Sequence, residues 1–142
     1  MDILITRKDE GGIEGILQSL VDALHIRGLI TDTLSMSDRL RSSFMGISQL
    51  EGKPHRRLDI KIYLKQHYPF AMLYFTGSAY FNRSMRLFAN KTGYNLSDSG
   101  LENVVGYRKN RVGLGKFIKC ETEEDIFKAL GLDYKAPHER DI

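Results

Sequence analysis

The spacing of hydrophobic residues changes along the chain and predicts an α+β protein. Residues 1–6 are rich in β-branched and aliphatic side chains, a composition that favours a short strand. Apolar side chains then recur at helical spacing from 13 to 24, with Asp9 as the predicted cap and Gly28 as the stop. Two further strands are predicted, at 29–34 and 44–50. A polar connection at 35–43 joins them, and a turn at 51–55 follows the second.

The clearest strand spans residues 56–64, because hydrophobic and polar positions alternate strictly there. Leu58, Ile60 and Ile62 occupy one face, and Asp59 lies on the other face among cations. A carboxylate between two cations on one face is also typical of a plain cross-strand ion network, and the residues alone leave that alternative open. Residues 1–66 are predicted to form the first, sheet-bearing unit.

The segment Tyr74 to Asn90 predicts a breaker followed by an amphipathic helix. Thr76 and Ser78 offer oxygens that can cap a helix, and Gly77 permits a sharp turn. One predicted stripe of the helix is apolar, namely Phe81, Met85, Phe88 and Ala89. The neighbouring stripe carries amides and guanidiniums but no acid, namely Asn82, Arg83, Arg86 and Asn90. Such a stripe suits a strand of nucleic acid, although it is also compatible with a solvated face.

The rest of the second part is predicted to mix helices with a small hairpin, so that residues 67–142 form a second unit. Pro69 suits the first turn of a helix that runs to Phe75, and Gly93 is expected to close the helix after it. Thr122 is predicted to cap the last helix. The segments between these helices are interpreted as a loose linker at 96–105 and a hairpin at 107–119 with a basic tip at 108–111.

Composition narrows the class of protein. The chain has 142 residues, of which 42% are hydrophobic and 27% charged, and these values are ordinary for a soluble globular domain. No apolar run approaches the roughly 20 residues of a membrane span, so we expect no membrane partner. The single Cys120 agrees with a reducing, intracellular compartment, and the four scattered histidines lack the spacing of a zinc site.

Charge is unevenly distributed along the chain. Residues 79–119 carry eight Lys or Arg against two acids, whereas 1–78 carry ten against nine and 120–142 carry three against seven. A concentrated basic block is a candidate surface for the phosphates of nucleic acid, because neutralised phosphates release counterions. Without other motifs, a solvated basic face would explain the block equally well.

Three motifs in order along the chain resemble the X family of DNA polymerases. Residues 74–78 (Tyr-Phe-Thr-Gly-Ser), followed by 81–86 (Phe-Asn-Arg-Ser-Met-Arg), resemble the nucleotide-binding motif of that family. Residues 55–60 resemble its catalytic strand, and 131–137 together with Arg140 resemble its C-terminal signature. The resemblance covers essentially the whole chain, but only the later part of the family's catalytic region.

The resemblance implies a partial nucleotidyltransferase palm sheet in 1–66, followed by a mixed nucleotide-binding subdomain of the fingers and thumb in 67–142. It also implies DNA-directed nucleotide addition with two Mg²⁺ or Mn²⁺ ions. Asp2 and Asp59 match two of the family's three metal-binding carboxylates, and Arg57 matches an arginine that orients Asp59. The third carboxylate would precede Met1, so we expect a truncated chain that is inactive alone. The two carboxylates present are predicted to lie side by side on one sheet surface.

The nucleotide-binding roles also follow from the resemblance. Tyr74 and Phe75 match the aromatic pair that packs against the incoming sugar, and the backbone at Gly77 matches a contact to the 3′-hydroxyl. Ser78 belongs to the same nucleotide-binding turn. Asn82 would contact the minor-groove edge of the incoming base. From the residues alone, Tyr74 and Phe75 could instead be core aromatics, and Asn82 could be a solvated helix residue.

Arg83 and Arg86 are the predicted DNA-binding residues, with Arg86 one helical turn beyond Asn82 and within reach of the template strand. The implied partners are primer-template or gapped duplex DNA and a deoxynucleoside triphosphate. Other DNA repair proteins and a nuclear location are implied by the family's role in gap filling, base excision repair and end joining.

Two other functions are compatible with the sequence. The chain could be a non-catalytic nucleotide- and DNA-binding module that has lost the first metal-binding aspartate. It could also be another nucleotidyltransferase that shares the palm. The second is less favoured, because the Tyr-Phe-Thr-Gly-Ser motif and the C-terminal signature lie outside the shared part.

Overall fold

Two separate hydrophobic cores organise the chain, one within residues 1–65 and one within residues 66–142. The computed structural model describes residues 1–37, 42–106 and 108–142. Sheets and helices occur in both units, which confirms the predicted α+β class. No helix among the described residues is both long and apolar enough to cross a lipid bilayer.

The described residues of the first unit form a four-stranded sheet with one α-helix. Its elements are β1 (Asp2–Thr6), α1 (Ile16–Ile26), β2 (Ile30–Ser37), β3 (Ser42–Ser48) and β4 (Arg56–Tyr63). The strand order is β1-β4-β3-β2, with β1 parallel to β4 and the other pairs antiparallel. The carboxylate-bearing strands β1 and β4 are therefore direct neighbours.

The core of the first unit confirms the alternation predicted for β4. Leu58, Ile60 and Ile62 are buried, and they belong to one apolar cluster with Leu17 and Val21 of α1. Because successive side chains of a strand point to opposite faces, the same pattern places Asp59 on the face away from this cluster. The core thereby fixes the orientation of the predicted catalytic strand.

Two predictions for the first unit are wrong. Asp9 does not cap α1, whose N-cap is Gly15. Its carboxylate instead accepts hydrogen bonds from the Arg7 guanidinium at 2.6 Å and from the Gly11 amide, and these bonds lower the pKa of Asp9. The strand after α1 also continues to Ser37, beyond its predicted end at residue 34. At the other end of the predicted polar connection, 42–43 belong to β3, and 38–41 lie outside the described residues.

In the second unit, the described residues form three α-helices and a three-stranded antiparallel sheet. Its main elements are α2 (Tyr68–Thr76), α3 (Ala79–Lys91), β5 (Tyr94–Ser97), β6 (Gly100–Val105), β7 (Val112–Phe117) and α4 (Glu123–Ala129). The strand order is β5-β6-β7. Its buried core comes from all three helices and from the strands β5 and β6, and it includes Phe70, Leu73, Met85, Ala89, Leu96, Leu101, Ile126 and Phe127.

The linker predicted at 96–105 is wrong, since these residues form most of the hairpin β5–β6. Leu96 and Leu101 are paired across this hairpin, and both are buried, which supplies the energy that orders the segment. The hairpin predicted at 107–119 starts earlier in the structure. Its second strand is β7, and its first strand is β6, which lies within the predicted linker. The basic segment Arg108–Asn110 forms a short 3-10 turn in this connection, and Tyr107 lies outside the described residues.

The helix ends of the second unit follow the sequence closely. The Ser78 hydroxyl caps α3 by accepting from the Phe81 amide at 3.3 Å, and Thr122 forms a reciprocal capping box with Asp125 on α4. Backbone donors at 121 and 122 lower the pKa of Asp125. Thr76 was also a predicted cap, and this prediction is wrong, because its hydroxyl donates to the Met72 carbonyl one turn earlier in α2.

Candidate nucleotide and DNA interface

An open groove of about 660 Å³ lies where α2 ends and α3 begins. Its walls are the last turn of α2, the turn between the helices, and one face of α3. Gly77 makes this turn with a φ of 73°, a backbone conformation that residues with a Cβ rarely adopt. The lining residues are Tyr74, Phe75, Gly77, Ala79, Asn82, Arg83, Arg86, Leu87 and Asn90.

The amide and guanidinium stripe of α3 faces this groove. All four of its members line the groove, namely Asn82, Arg83, Arg86 and Asn90. The opposite stripe anchors α3, because Met85 and Ala89 are buried in the core. Phe88 does not fit the predicted apolar stripe, since it is 38% exposed. The buried stripe therefore orients α3 so that its polar stripe is presented as predicted.

Tyr74 and Phe75 are half-exposed aromatic residues at the mouth of the groove, with exposed fractions of 36% and 37%. Their rings pack edge to face, with centroids 4.9 Å apart. Because more than a third of each residue is open to solvent, neither is an ordinary core aromatic. Their exposed surface is the kind on which a sugar or a base can pack.

Hydrogen bonds hold the polar side chains of the groove in place. Asn82 Nδ2 donates to the Tyr74 carbonyl at 2.6 Å, and Arg86 Nε donates to the Leu96 carbonyl at 3.2 Å. The Arg86 guanidinium also lies 5.6 Å from the centroid of the Tyr74 ring. Among the described residues, the terminal nitrogens of Arg86 have no hydrogen-bond partner. They are available to a ligand in the groove.

The electrostatics of the groove favour an anion. Its lining contains the guanidiniums of Arg83 and Arg86 and, among the described residues, no carboxylate. A guanidinium binds phosphate through paired N–H donors. Exposed aromatic surface beside two guanidiniums is a combination that binds a phosphate-bearing chain with bases.

Arg111 is a residue of this region whose place the sequence did not indicate. It was predicted only as part of a basic hairpin tip. In the structure its guanidinium donates to Asn90 Oδ1, at the end of α3, and to the Tyr94 carbonyl at 2.9 Å. Arg111 therefore ties the far end of α3 to β5. No local pattern could predict this contact, because 21 residues separate Arg111 from Asn90.

The carboxylates predicted to bind metal lie in the first unit, on the neighbouring strands β1 and β4. Asp2 is paired in register with Asp59, so their side chains leave the same face of the sheet about 5 Å apart at the backbone. Met1 continues the pairing, since its carbonyl accepts from the Asp59 amide at 2.9 Å. The predicted placement of Asp2 beside Asp59 is confirmed, whereas their role as metal ligands stays a prediction.

Arg57 engages Asp59 on the same face of β4. Its Nε donates to Asp59 Oδ1 at 2.6 Å, and Nη2 lies 3.5 Å from Oδ2. The contact spans two residues along one strand, which is the geometry that brings side chains to a common face. Arg57 can thus orient the Asp59 carboxylate, although it also competes with a cation for the same oxygens.

Two adjacent carboxylates fit one divalent cation better than two. Carboxylate oxygens are the ligands that Mg²⁺ prefers, and substrate phosphates and water can complete its coordination. However, no group of three or more His, Cys, Asp or Glu in the described part of the chain is placed to hold a metal ion. Two dications close together need more negative charge than Asp2 and Asp59 provide, so the predicted two-ion site does not fit these residues alone.

Comparisons with known proteins agree with this geometry. Residues 1–65 match the family model of the DNA polymerase beta palm, and residues 71–141 match that of the DNA polymerase beta thumb. A palm followed by a thumb is the architecture of a DNA polymerase. The chain belongs to the X family of DNA polymerases.

Individual relatives are consistent with that family. The chain is 40% identical to DNA polymerase lambda of Rattus norvegicus over 99% of this chain and 26% of the relative. It is 30% identical to DNA polymerase lambda of Arabidopsis thaliana over 100% of this chain and 29% of the relative. DNA nucleotidylexotransferase of Xenopus laevis is 42% identical over 59% of this chain and 15% of the relative. The chain therefore spans less than a third of the length of each of these proteins.

Proposed function

We propose that the chain is the nucleotide- and DNA-binding part of a DNA-directed DNA polymerase that fills gaps in nuclear DNA repair, in base excision repair and end joining. The observation that carries this proposal is the groove beside α3. It collects the predicted nucleotide contacts Tyr74, Phe75, Gly77 and Asn82 together with the predicted DNA contacts Arg83 and Arg86. The names of the matched relatives support the polymerase activity.

The incoming deoxynucleoside triphosphate is assigned to the α2 end of the groove. Its sugar packs on the exposed faces of Tyr74 and Phe75, and its 3′-hydroxyl meets the backbone at Gly77. Asn82 contacts the minor-groove edge of the base by exchanging its hydrogen bond to the Tyr74 carbonyl for one to the nucleotide. Ser78 holds the turn and the start of α3 through its cap on Phe81.

The primer-template or gapped duplex is assigned to the arginines of α3. Arg83 is exposed and binds backbone phosphate, whereas Arg86 is tethered through Nε and presents its terminal nitrogens to the template strand. The tether supports a fixed position for Arg86, because it removes the freedom of a long side chain before DNA arrives. Other repair proteins are expected to bind elsewhere on the polymerase.

Asp2 and Asp59 are proposed to hold Mg²⁺, or Mn²⁺ in its place, with Arg57 orienting Asp59. Such an ion supplies charge stabilisation for nucleotidyl transfer when it is bound. Transfer with two ions requires at least one carboxylate beyond this pair. Asp59 and Arg57 are assigned as catalytic residues. The carboxylates of Asp2 and Asp59 alone do not complete the site.

The second candidate function is binding without catalysis. One specific observation favours it: the Arg57 guanidinium already occupies an oxygen of Asp59. Asp2 and Asp59 then offer too few carboxylate oxygens for two metal ions. A module of this kind keeps the groove and its affinity for nucleotide and DNA. The two functions therefore predict the same binding and differ only in nucleotide addition.

DNA binding should depend on salt and on the arginines of α3. Fluorescence anisotropy with a labelled primer-template should show log affinity falling linearly with log salt. We expect Arg83→Ala and Arg86→Gln each to reduce the magnitude of that slope by about 1, because each removes one phosphate-facing charge. Glutamine at position 86 can still donate to the Leu96 carbonyl, so the fold of the groove is retained.

Lys128→Ala is the matched control, because it removes one exposed cation from α4, outside the groove. Its slope should equal that of the unchanged chain. Equal slopes for all four proteins would contradict the assignment of DNA to the groove. An affinity that does not change with salt concentration would show that the basic residues of 79–119 are only solvated.

A further inference from the structure

Arg140 is a fully buried arginine near the C-terminus, with an exposed fraction of 0%. Its Nε donates to the Lys135 carbonyl at 2.8 Å, and Nη1 and Nη2 donate to the two carboxylate oxygens of Glu123 at 3.0 and 3.4 Å. All three nitrogens of the planar guanidinium therefore donate hydrogen bonds. A lysine could not reproduce this arrangement, since an ammonium lacks the fork.

Three aromatic rings surround the same guanidinium. Its central carbon lies 5.4 Å from the ring centroid of Phe127, 5.6 Å from that of Tyr134 and 5.7 Å from that of Phe81. Phe81 belongs to the first turn of α3, and its amide is the donor that Ser78 caps. Arg140 is therefore packed against the end of α3 that carries the proposed nucleotide contacts.

The backbone around Arg140 reaches the turn between α2 and α3. The Arg140 carbonyl accepts from the Ser78 amide at 3.3 Å, and the Ile142 carbonyl accepts from the Ser78 hydroxyl at 3.3 Å. Gly77, which lines the groove, is bonded directly to Ser78. The segment 140–142 thus holds this turn through Ser78, a residue that is not part of the groove lining.

A buried guanidinium is a costly way to fill a core. Removing the charge from water carries a large desolvation penalty, and well-packed apolar residues often replace a buried ion pair without loss of stability. An apolar residue cannot supply directional hydrogen bonds. The bidentate pair with Glu123 and the bond to Lys135 fix the main chain at 140, and with it the carbonyl that faces Ser78.

We propose that Arg140 is a positioning residue for nucleotide binding, because it braces the Gly77–Ser78 turn through the backbone of 140–142. It does not touch the nucleotide in this arrangement. The effect on nucleotide affinity rests on the proposed function of the groove, whereas the bracing of the turn does not. The two parts can therefore be measured separately.

The test compares Arg140→Lys with Lys135→Ala in the full 142-residue chain. Arg140→Lys keeps the charge but loses the fork, and Lys135→Ala removes a neighbouring exposed cation while keeping the carbonyl that Arg140 uses. Hydrogen exchange of the Ser78 amide should accelerate at least about tenfold in Arg140→Lys, relative to the Leu130 amide in the core. The Kd for dTTP, measured with primer-template DNA and Mg²⁺ at a temperature where each protein is folded, should rise about tenfold. Lys135→Ala should change neither quantity.

Equal acceleration of Ser78 and Leu130 would overturn the proposal, because it would mean a general loss of stability. Faster exchange at Ser78 with an unchanged Kd for dTTP would also overturn it. If the unchanged chain binds no dTTP, the proposed function fails, while selective exchange at Ser78 still supports the brace. Glu123→Gln is the second variant in case Arg140→Lys does not fold, since it keeps one oxygen acceptor, and it should show the same pattern with a smaller change, about threefold.

Discussion

No primer extension is expected from the 142-residue chain by itself, with either Mg²⁺ or Mn²⁺. Nucleotidyl transfer depends on positioned charge around the phosphates, and Asp2 and Asp59 supply too few carboxylates for two ions. A single charged group can matter greatly in this chemistry, since one arginine that stabilises a phosphoryl-transfer transition state contributes about 10³- to 10⁵-fold to kcat. Single-nucleotide addition to a labelled primer should therefore stay below detection, and Asp59→Ala should change nothing further.

The control for this experiment adds a carboxylate. A variant with Gly-Asp added before Met1 places an aspartate two positions before Asp2, on the same face of β1. We expect this variant to bind Mn²⁺ more tightly than the unchanged chain, and Asp59→Ala should remove that gain. A full-length polymerase of the X family serves as the positive control for extension. Robust extension by the unchanged chain that is lost in Asp59→Ala would contradict this account.

Phe127→Ala should destabilise the second unit by about 3–5 kcal/mol. Phe127 is only 2% exposed, and its ring contacts those of Phe81 and Tyr134 with centroids 6.1 and 5.3 Å apart. Removing it leaves a cavity at the centre of the cluster that supports Arg140. Because total stability is commonly about 5–15 kcal/mol, the loss would be a large share of it. Hydrogen exchange of amides in 66–142, measured at increasing denaturant concentration, reports the free energy of unfolding of this unit separately from that of the first unit.

Phe88→Ala provides the matched comparison on α3. Phe88 was predicted to belong to the apolar stripe, but it is 38% exposed. Its removal should therefore change the free energy of unfolding by less than about 1 kcal/mol. A cost for Phe88→Ala equal to that for Phe127→Ala would mean that the stripe predicted from the sequence describes the core better than the structure does.

The sequence was most informative where a local pattern decides the structure. Strict alternation over 56–64 predicted β4 and the face of Asp59, because burial of Leu58, Ile60 and Ile62 leaves only one orientation for the strand. The segment 74–90, to which nucleotide binding is assigned as a proposal, was predictable for a similar reason. All nine residues that line the groove lie within the 17 positions 74–90, so the last turn of α2, the turn after it and the helical spacing of α3 bring them together.

The sequence was least informative where distant segments decide the structure. The β5–β6 hairpin was predicted as a linker because its strands are short and polar residues interrupt them, yet Leu96 and Leu101 order it by joining the core. The burial of Arg140 could not be predicted either, since an arginine in a charged tail is normally exposed. The register of Asp2 with Asp59 was accessible only through resemblance to a known family, because the two residues are 57 positions apart in the sequence.

The measurement that tests the central claim most directly is a two-dimensional NMR titration of the chain with primer-template DNA and dTTP. The groove beside α3 is proposed to hold both ligands. The largest amide shifts should therefore fall within residues 74–90, with DNA alone affecting positions near Arg83 and Arg86 and dTTP adding changes near Tyr74 and Gly77. Saturable shifts confined to other surfaces, or no shifts at concentrations where DNA is bound, would contradict the assignment of nucleotide and DNA to this groove.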